Sequence, residues 1–132
     1  MPTILLVDDN EDIRDMMTRF LQDHGYAVVT ANNGLEAVLA TAQAAPSLIL
    51  MDVNMPELDG HEATRQIRAA DPDKRIPVIA LTAHALPGDE ARSLAAGCDA
   101  FHSKPVNFKK LSDQISELLA ETVSAPSPQA NP

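Results

Sequence analysis

Apolar residues in this chain come in short runs that stop abruptly on polar side chains. Ile4-Leu5-Leu6-Val7 ends at Asp8-Asp9, Leu48-Ile49-Leu50-Met51 at Asp52, and Val78-Ile79-Ala80-Leu81 at Thr82. Ala100-Phe101-His102-Ser103, a shorter and weaker run, ends at Lys104-Pro105. The first three have the length and continuity of strands buried on both faces. Between the runs the apolar spacing becomes helical. Ile13, Met16, Met17, Phe20 and Leu21 recur at helical intervals before Gly25, and Tyr26 to Thr30 reads as another strand. Leu35, Val38, Leu39 and Ala42 mark a second helix, with Asn33 as N-cap and Pro46 beyond its end. Asp59 is placed to cap a third helix, about Gly60 to Ala70, before the Asp71-Pro72 break. A fourth, about Pro87 to Ala96, is rich in Ala and should pack weakly, whereas Phe108, Leu111, Ile115, Leu118 and Leu119 give the fifth a strong stripe.

Strand, helix and strand joined by short connections require parallel pairing through right-handed crossovers. The two weaker strands, Tyr26 to Thr30 and Ala100 to Ser103, suit sheet edges. The expected fold is α/β, a doubly wound three-layer α/β/α sandwich around a five-stranded parallel sheet of order 2-1-3-4-5. Residues 1–122 make one domain. The Pro-, Ser- and Ala-rich stretch 123–132 lacks the residues for a core and is expected to be a disordered C-terminal tail.

Composition narrows the function. The 132 residues carry a net charge of -9, which opposes nucleic acid and anionic membrane surfaces. With three Phe, one Tyr and no Trp, the core must be aliphatic. A single cysteine, Cys98, excludes an internal disulfide, and its Gly97-Cys98-Asp99 setting suits a small residue packed beside a turn. No signal peptide or membrane-spanning run is evident, so a cytoplasmic protein is expected.

The chemistry gathers at the strand ends. In a parallel sheet all carboxyl ends lie along one edge, where ligands of open α/β sheets bind. Asp8, Asp9 and Asp52 would meet there as a trio of anions whose repulsion calls for a cation. Hard oxygen ligands without His or Cys suit Mg²⁺. Helix capping could account for Asp8 or Asp9, but not for Asp52 on another strand. Lys104 and Thr82 end the strands on the other side. An ammonium and a hydroxyl facing a metal-bound carboxylate can hold an incoming phosphoryl group, with Asp52 as nucleophile. Either residue alone would be better explained by a salt bridge or a strand-end hydrogen bond.

From Thr3 to about Glu121 the chain resembles the receiver domain of two-component response regulators, a flavodoxin-like fold. The resemblance lies in Leu6-Val7-Asp8-Asp9-Asn10, in Met51-Asp52-Val53-Asn54-Met55-Pro56-Glu57-Leu58-Asp59-Gly60, in Ala80-Leu81-Thr82-Ala83 and in Lys104-Pro105. It implies that Asp52 is the phosphoacceptor. Asp9 and Asp52 would bind Mg²⁺ directly, with the Asn54 backbone carbonyl as a third ligand and Asp8 acting through water. Lys104 would pair with phosphoryl oxygens and precede a cis bond to Pro105. Thr82 and the Ala83 backbone N–H would contact the phosphoryl group, and Phe101 would be the switch aromatic. Phe replaces the commoner Tyr there, so that side chain has no hydroxyl. Asn54 and His84 occupy positions that tune phosphoryl lifetime. His24, His61 and His102 are expected at the surface.

The function so implied is a phosphorylation-activated switch in a phosphorelay. It would be loaded by a histidine kinase or histidine phosphotransfer protein, act on a downstream protein effector, and catalyse only its own phosphorylation and dephosphorylation. The face built by the fourth helix, fifth strand and fifth helix would change, in a monomer or a phosphorylation-linked dimer. A stand-alone or N-terminal receiver is favoured over a fragment of a hybrid histidine kinase or a phosphoryl sink. A true Mg²⁺ phosphatase would want a second Asp where Asn54 stands. An FMN binder would want a glycine- and hydroxyl-rich loop in place of Asp8-Asp9-Asn10-Glu11-Asp12.

Overall fold

The computed structural model describes residues 2–53, 59–70, 76–83 and 87–124. Asn54, His84, the Asp71-Pro72 break and residues 125–132 lie outside the described residues. The elements alternate as β1 (Thr3–Val7), α1 (Glu11–Asp23), β2 (Ala27–Ala31), α2 (Gly34–Ala44) and β3 (Leu48–Asp52). They continue as α3 (Gly60–Ala70), β4 (Val78–Thr82), α4 (Asp89–Ala96), β5 (Ala100–Ser103) and α5 (Phe108–Ser124). All pairings are parallel, in the order β2-β1-β3-β4-β5, as the crossover argument requires. Helix α5 ends two residues beyond the expected domain limit at 122.

Alternation along the strands divides the core into two layers. Leu5, Val7, Ile49, Met51, Val78 and Ala80 face Ala37 of α2 and Ala63 and Ile67 of α3. Their neighbours Ile4, Leu6, Leu48, Leu50, Ile79 and Leu81 face Met17 and Leu21 of α1 and Leu111 and Ile115 of α5. Each fully buried aliphatic side chain contributes about 1.5–3 kcal/mol, so the three central strands anchor the fold.

Side-chain caps start four of the five helices, α4 beginning at Gly88 without one. Asn10 accepts the Ile13 N–H at 3.0 Å, Asn33 that of Glu36 at 2.8 Å, Asp59 that of Glu62 at 2.9 Å and Asn107 that of Lys110 at 3.0 Å. Asn10, rather than Asp8 or Asp9, therefore caps α1.

Helix α2 forms where its apolar spacing places it, although Leu35 and Leu39 are 56% and 62% exposed. The helix instead buries Gly34 and Ala37, and Ala37 joins the core layer of Leu5, Val7, Ile49 and Met51. One expectation is corrected. His102, expected at the surface, is only 2% exposed. It lies on the α5 side of β5, where Gln114 and the Asn107 backbone satisfy its ring nitrogens. His61 is half-buried, with Nε2 2.8 Å from Ser93 Oγ on α4, while His24 is exposed as expected.

Candidate functional site

Strand register assembles the site. Val7 pairs with Met51, so Asp8 and Asp52 are the next residues on adjacent strands. Thr82 pairs with Ser103, which brings Lys104 just past the rim beside it. At the rim one ligand oxygen from each of Asp8, Asp9 and Asp52 lies within 4.8 Å of the others. Asp8 and Asp52 are 1% and 2% exposed, whereas Asp9 is open to solvent.

Buried carboxylates this close need compensation. Lys104 supplies part of it, with Nζ 2.9 Å from Asp8 Oδ2 and 3.6 Å from Asp52 Oδ2. Asp8 Oδ1 also accepts the Asn10 N–H at 2.9 Å. One ammonium against three carboxylates leaves the cluster anionic. That charge and the all-oxygen donor set fit a hard divalent cation such as Mg²⁺.

The backbone aims these groups. The Lys104 N–H donates to Thr82 O at 2.7 Å, and the Lys104–Pro105 peptide is cis. Val53 N–H donates to Leu81 O at 2.9 Å, extending the β3–β4 pairing past Asp52. Thr82 is buried at the rim, and Ala83, which follows it, is exposed. Phe101 packs from the α3–α4 side of the sheet. Together with Val53, His61, Thr82, Asp89, Arg92 and Ser93 it lines a cavity of about 180 Å³. Space for a side-chain rearrangement therefore lies between the Thr82 hydroxyl and α4.

Helix α4 seats only short side chains, Asp89, Ser93 and Ala96, and leaves Leu94 outside, consistent with the weak packing expected of its sequence. Asp89 forms an ion pair with Arg92 one turn on. Burial and the flanking Arg65 and Arg92 lower the His61 pKa, with burial the largest cause and Asp59 opposing it. Burial likewise pushes the Cys98 thiol up, against a smaller opposing effect from the Thr64 hydroxyl, as befits a packed residue rather than a nucleophile.

Three residues with structural roles, Arg68 among them at the opposite edge of the sheet, went unassigned in the sequence. Gly60 follows the helix cap Asp59 and packs directly on the backbone of Asp52 and Val53. Arg68, at the end of α3, donates to Gly97 O from Nε at 3.0 Å and Nη2 at 2.8 Å and pairs with Asp99 at 2.7 Å. His102 is the third. The signal for Gly60 was its position after a cap; Arg68 and His102 gave none.

Comparison with known proteins identifies the family. Residues 4–116 match the family model of the response regulator receiver domain. The chain is 36% identical over 119 residues to the polar-differentiation response regulator DivK of Brucella anthropi, a match covering 90% of this chain and 97% of that protein. Among solved structures, the Vibrio cholerae chemotaxis protein CheY4 superposes with a TM-score of 0.83 at 34% identity, covering 89% of this chain and 98% of that one. The receiver domain of a Pseudomonas aeruginosa sensor histidine kinase, solved with a magnesium ion coordinated in its active site cleft, gives 0.83 at 37%, covering 90% and 98%. Among the described residues, no helix is long and apolar enough to cross a membrane. The chain belongs to the response regulator receiver domain family of two-component signalling.

Proposed function

We propose that the chain is a phosphorylation-controlled switch whose phosphoacceptor is Asp52. The observation that carries this reading is the buried Asp52 carboxylate, grouped with Asp8 and Asp9 and reached by the Lys104 ammonium at 3.6 Å. Asp9 and Asp52 would hold Mg²⁺, with Asp8 acting through water and the Asn54 carbonyl as a further ligand. When bound, the ion supplies neutralisation of the charge on the phosphoryl oxygens.

The donor class is a phosphohistidine on a histidine kinase or a phosphotransfer protein. An Asp52 oxygen attacks the phosphorus in line, the P–O bond forms as the P–N bond breaks, and the imidazole leaves with the electron pair. Lys104 turns from its carboxylates to the phosphoryl oxygens, adding electrostatic stabilisation where charge develops. The Thr82 hydroxyl and the Ala83 N–H then donate to the same group. Moving Thr82 opens space for Phe101 to turn inward, and the α4–β5–α5 face changes for a downstream protein partner. The chain's only catalysis is on its own phosphoryl group.

Intact mass after incubation with acetyl phosphate tests this reading. A single Mg²⁺-dependent phosphoryl adduct, absent with chelator and in Asp52→Asn, is the expected result. An adduct that persists in Asp52→Asn overturns the assignment.

A further inference from the structure

His102 is buried at a sheet position paired with Leu81, whose side chain belongs to the α1–α5 core layer. Both of its ring nitrogens are nevertheless engaged. The Asn107 backbone N–H lies 3.1 Å from Nε2 and can only donate, so Nε2 accepts. The proton is therefore on Nδ1, which donates to Gln114 Oε1 at 2.8 Å. Gln114 Nε2 in turn donates to Phe101 O at 3.2 Å. The ring thus joins β5, the middle of α5 and the residue that caps α5.

This network brackets Lys104. Its bonds attach to the chain at residues 101 and 102 on one side and at residue 107 on the other. The segment between them projects the ammonium to Asp8, 2.9 Å away. The Lys104 N–H bond to Thr82 O fixes the start of that segment, and the His102–Asn107 bond fixes its end. A leucine at this position would satisfy the core and leave the Asn107 N–H without its ring acceptor.

We propose that His102 is a positioning residue for phosphoryl transfer, holding the Ser103–Asn107 loop so that Lys104 meets the carboxylates and then the phosphoryl group. This rests on the reading of Asp52 as phosphoacceptor and Lys104 as its cation.

The test is a double-mutant cycle on the rate of Mg²⁺-dependent adduct formation from saturating acetyl phosphate, with wild type, His102→Leu, Lys104→Ala and the double variant. His102→Leu should slow wild type by about tenfold, leave Mg²⁺ affinity within about twofold, and change the Lys104→Ala background by less than about twofold. His102→Gln, which keeps an acceptor for Asn107, should recover most of the rate. Equal losses in both backgrounds overturn the proposal, as does lowered thermal stability with an unchanged rate. If His102→Leu does not fold, Gln114→Leu should show the same dependence on Lys104, and additive losses there overturn it equally.

NMR of the Lys104 methylene protons in Mg²⁺-free protein reads the positioning without phosphorylation. Their inequivalence should collapse in His102→Leu or Gln114→Leu, and unchanged resonances overturn the proposal. A wild type that forms no adduct counts against the Asp52 reading, whereas the NMR result stands on its own.

Discussion

Gly60 packs directly on the backbone that carries Asp52. A Cβ added at Gly60 would meet the Asp52 carbonyl oxygen, with Val53 Cα at 2.8 Å and Met51 Cγ at 2.9 Å. The first residue of α3 is thus pressed onto the end of β3, and backbone atoms there cannot step aside as a flexible side chain would. Gly60→Ala should destabilise the protein by about 2–3 kcal/mol and slow adduct formation at Asp52. Urea unfolding and the labelling rate check this, and an unchanged pair of values would show that α3 can shift at no cost.

Lys104 neutralises part of the carboxylate repulsion. Lys104→Ala leaves buried Asp8 and Asp52 facing each other, so the metal-free protein should lose about 2–3 kcal/mol. A divalent cation then has more repulsion to relieve, and Mg²⁺ should raise the stability of the variant more than that of wild type. Unfolding in chelator and in Mg²⁺ measures both effects; an equal Mg²⁺ gain in the two proteins would sink the idea.

Arg68 ties three segments together. Its guanidinium bonds Gly97 O, Ile76 O and Asp99, and Asp99 Oδ2 also accepts the Val78 N–H at 2.9 Å. A lysine ammonium cannot reproduce this planar fork. Arg68→Lys should therefore cost about 2–3 kcal/mol, nearly as much as Arg68→Met. Full stability in Arg68→Lys would show that charge alone suffices.

His61 links α3 to α4 through Ser93, and burial lowers its pKa. The unfolded chain therefore binds the proton more readily than the folded one. Stability from this residue is fully present above the ordinary histidine pKa of about 6.5 and is lost as pH falls below it. Solvent screening keeps the effect small, about 1–2 °C in Tm between pH 7.5 and 5.5. His61→Gln should remove that part of the acid sensitivity, and identical Tm–pH curves for the two proteins would contradict the assignment.

The sequence by itself determined which elements form and where the chemistry stands along them. Uninterrupted aliphatic runs imply strands covered on both faces, short connections imply parallel crossovers, and the residue closing each run must then lie on one rim. Asp8, Asp9, Asp52, Thr82 and Lys104 were legible for that reason, since each needs only its place within its own element. Tertiary structure alone decided what depends on distant partners. Leu35 and Leu39 have helical apolar spacing, yet they are exposed while Gly34 and Ala37 are buried, because the docking of α2, not its spacing, chooses the buried face. His102 has the polarity of a surface residue, yet Gln114, twelve residues on, and the Asn107 N–H make its burial affordable. Arg68 and Gly97 are 29 residues apart and meet only where α3 ends beside the α4–β5 turn. Periodicity reports the face of one helix or strand; register and helix docking choose the neighbour that face meets.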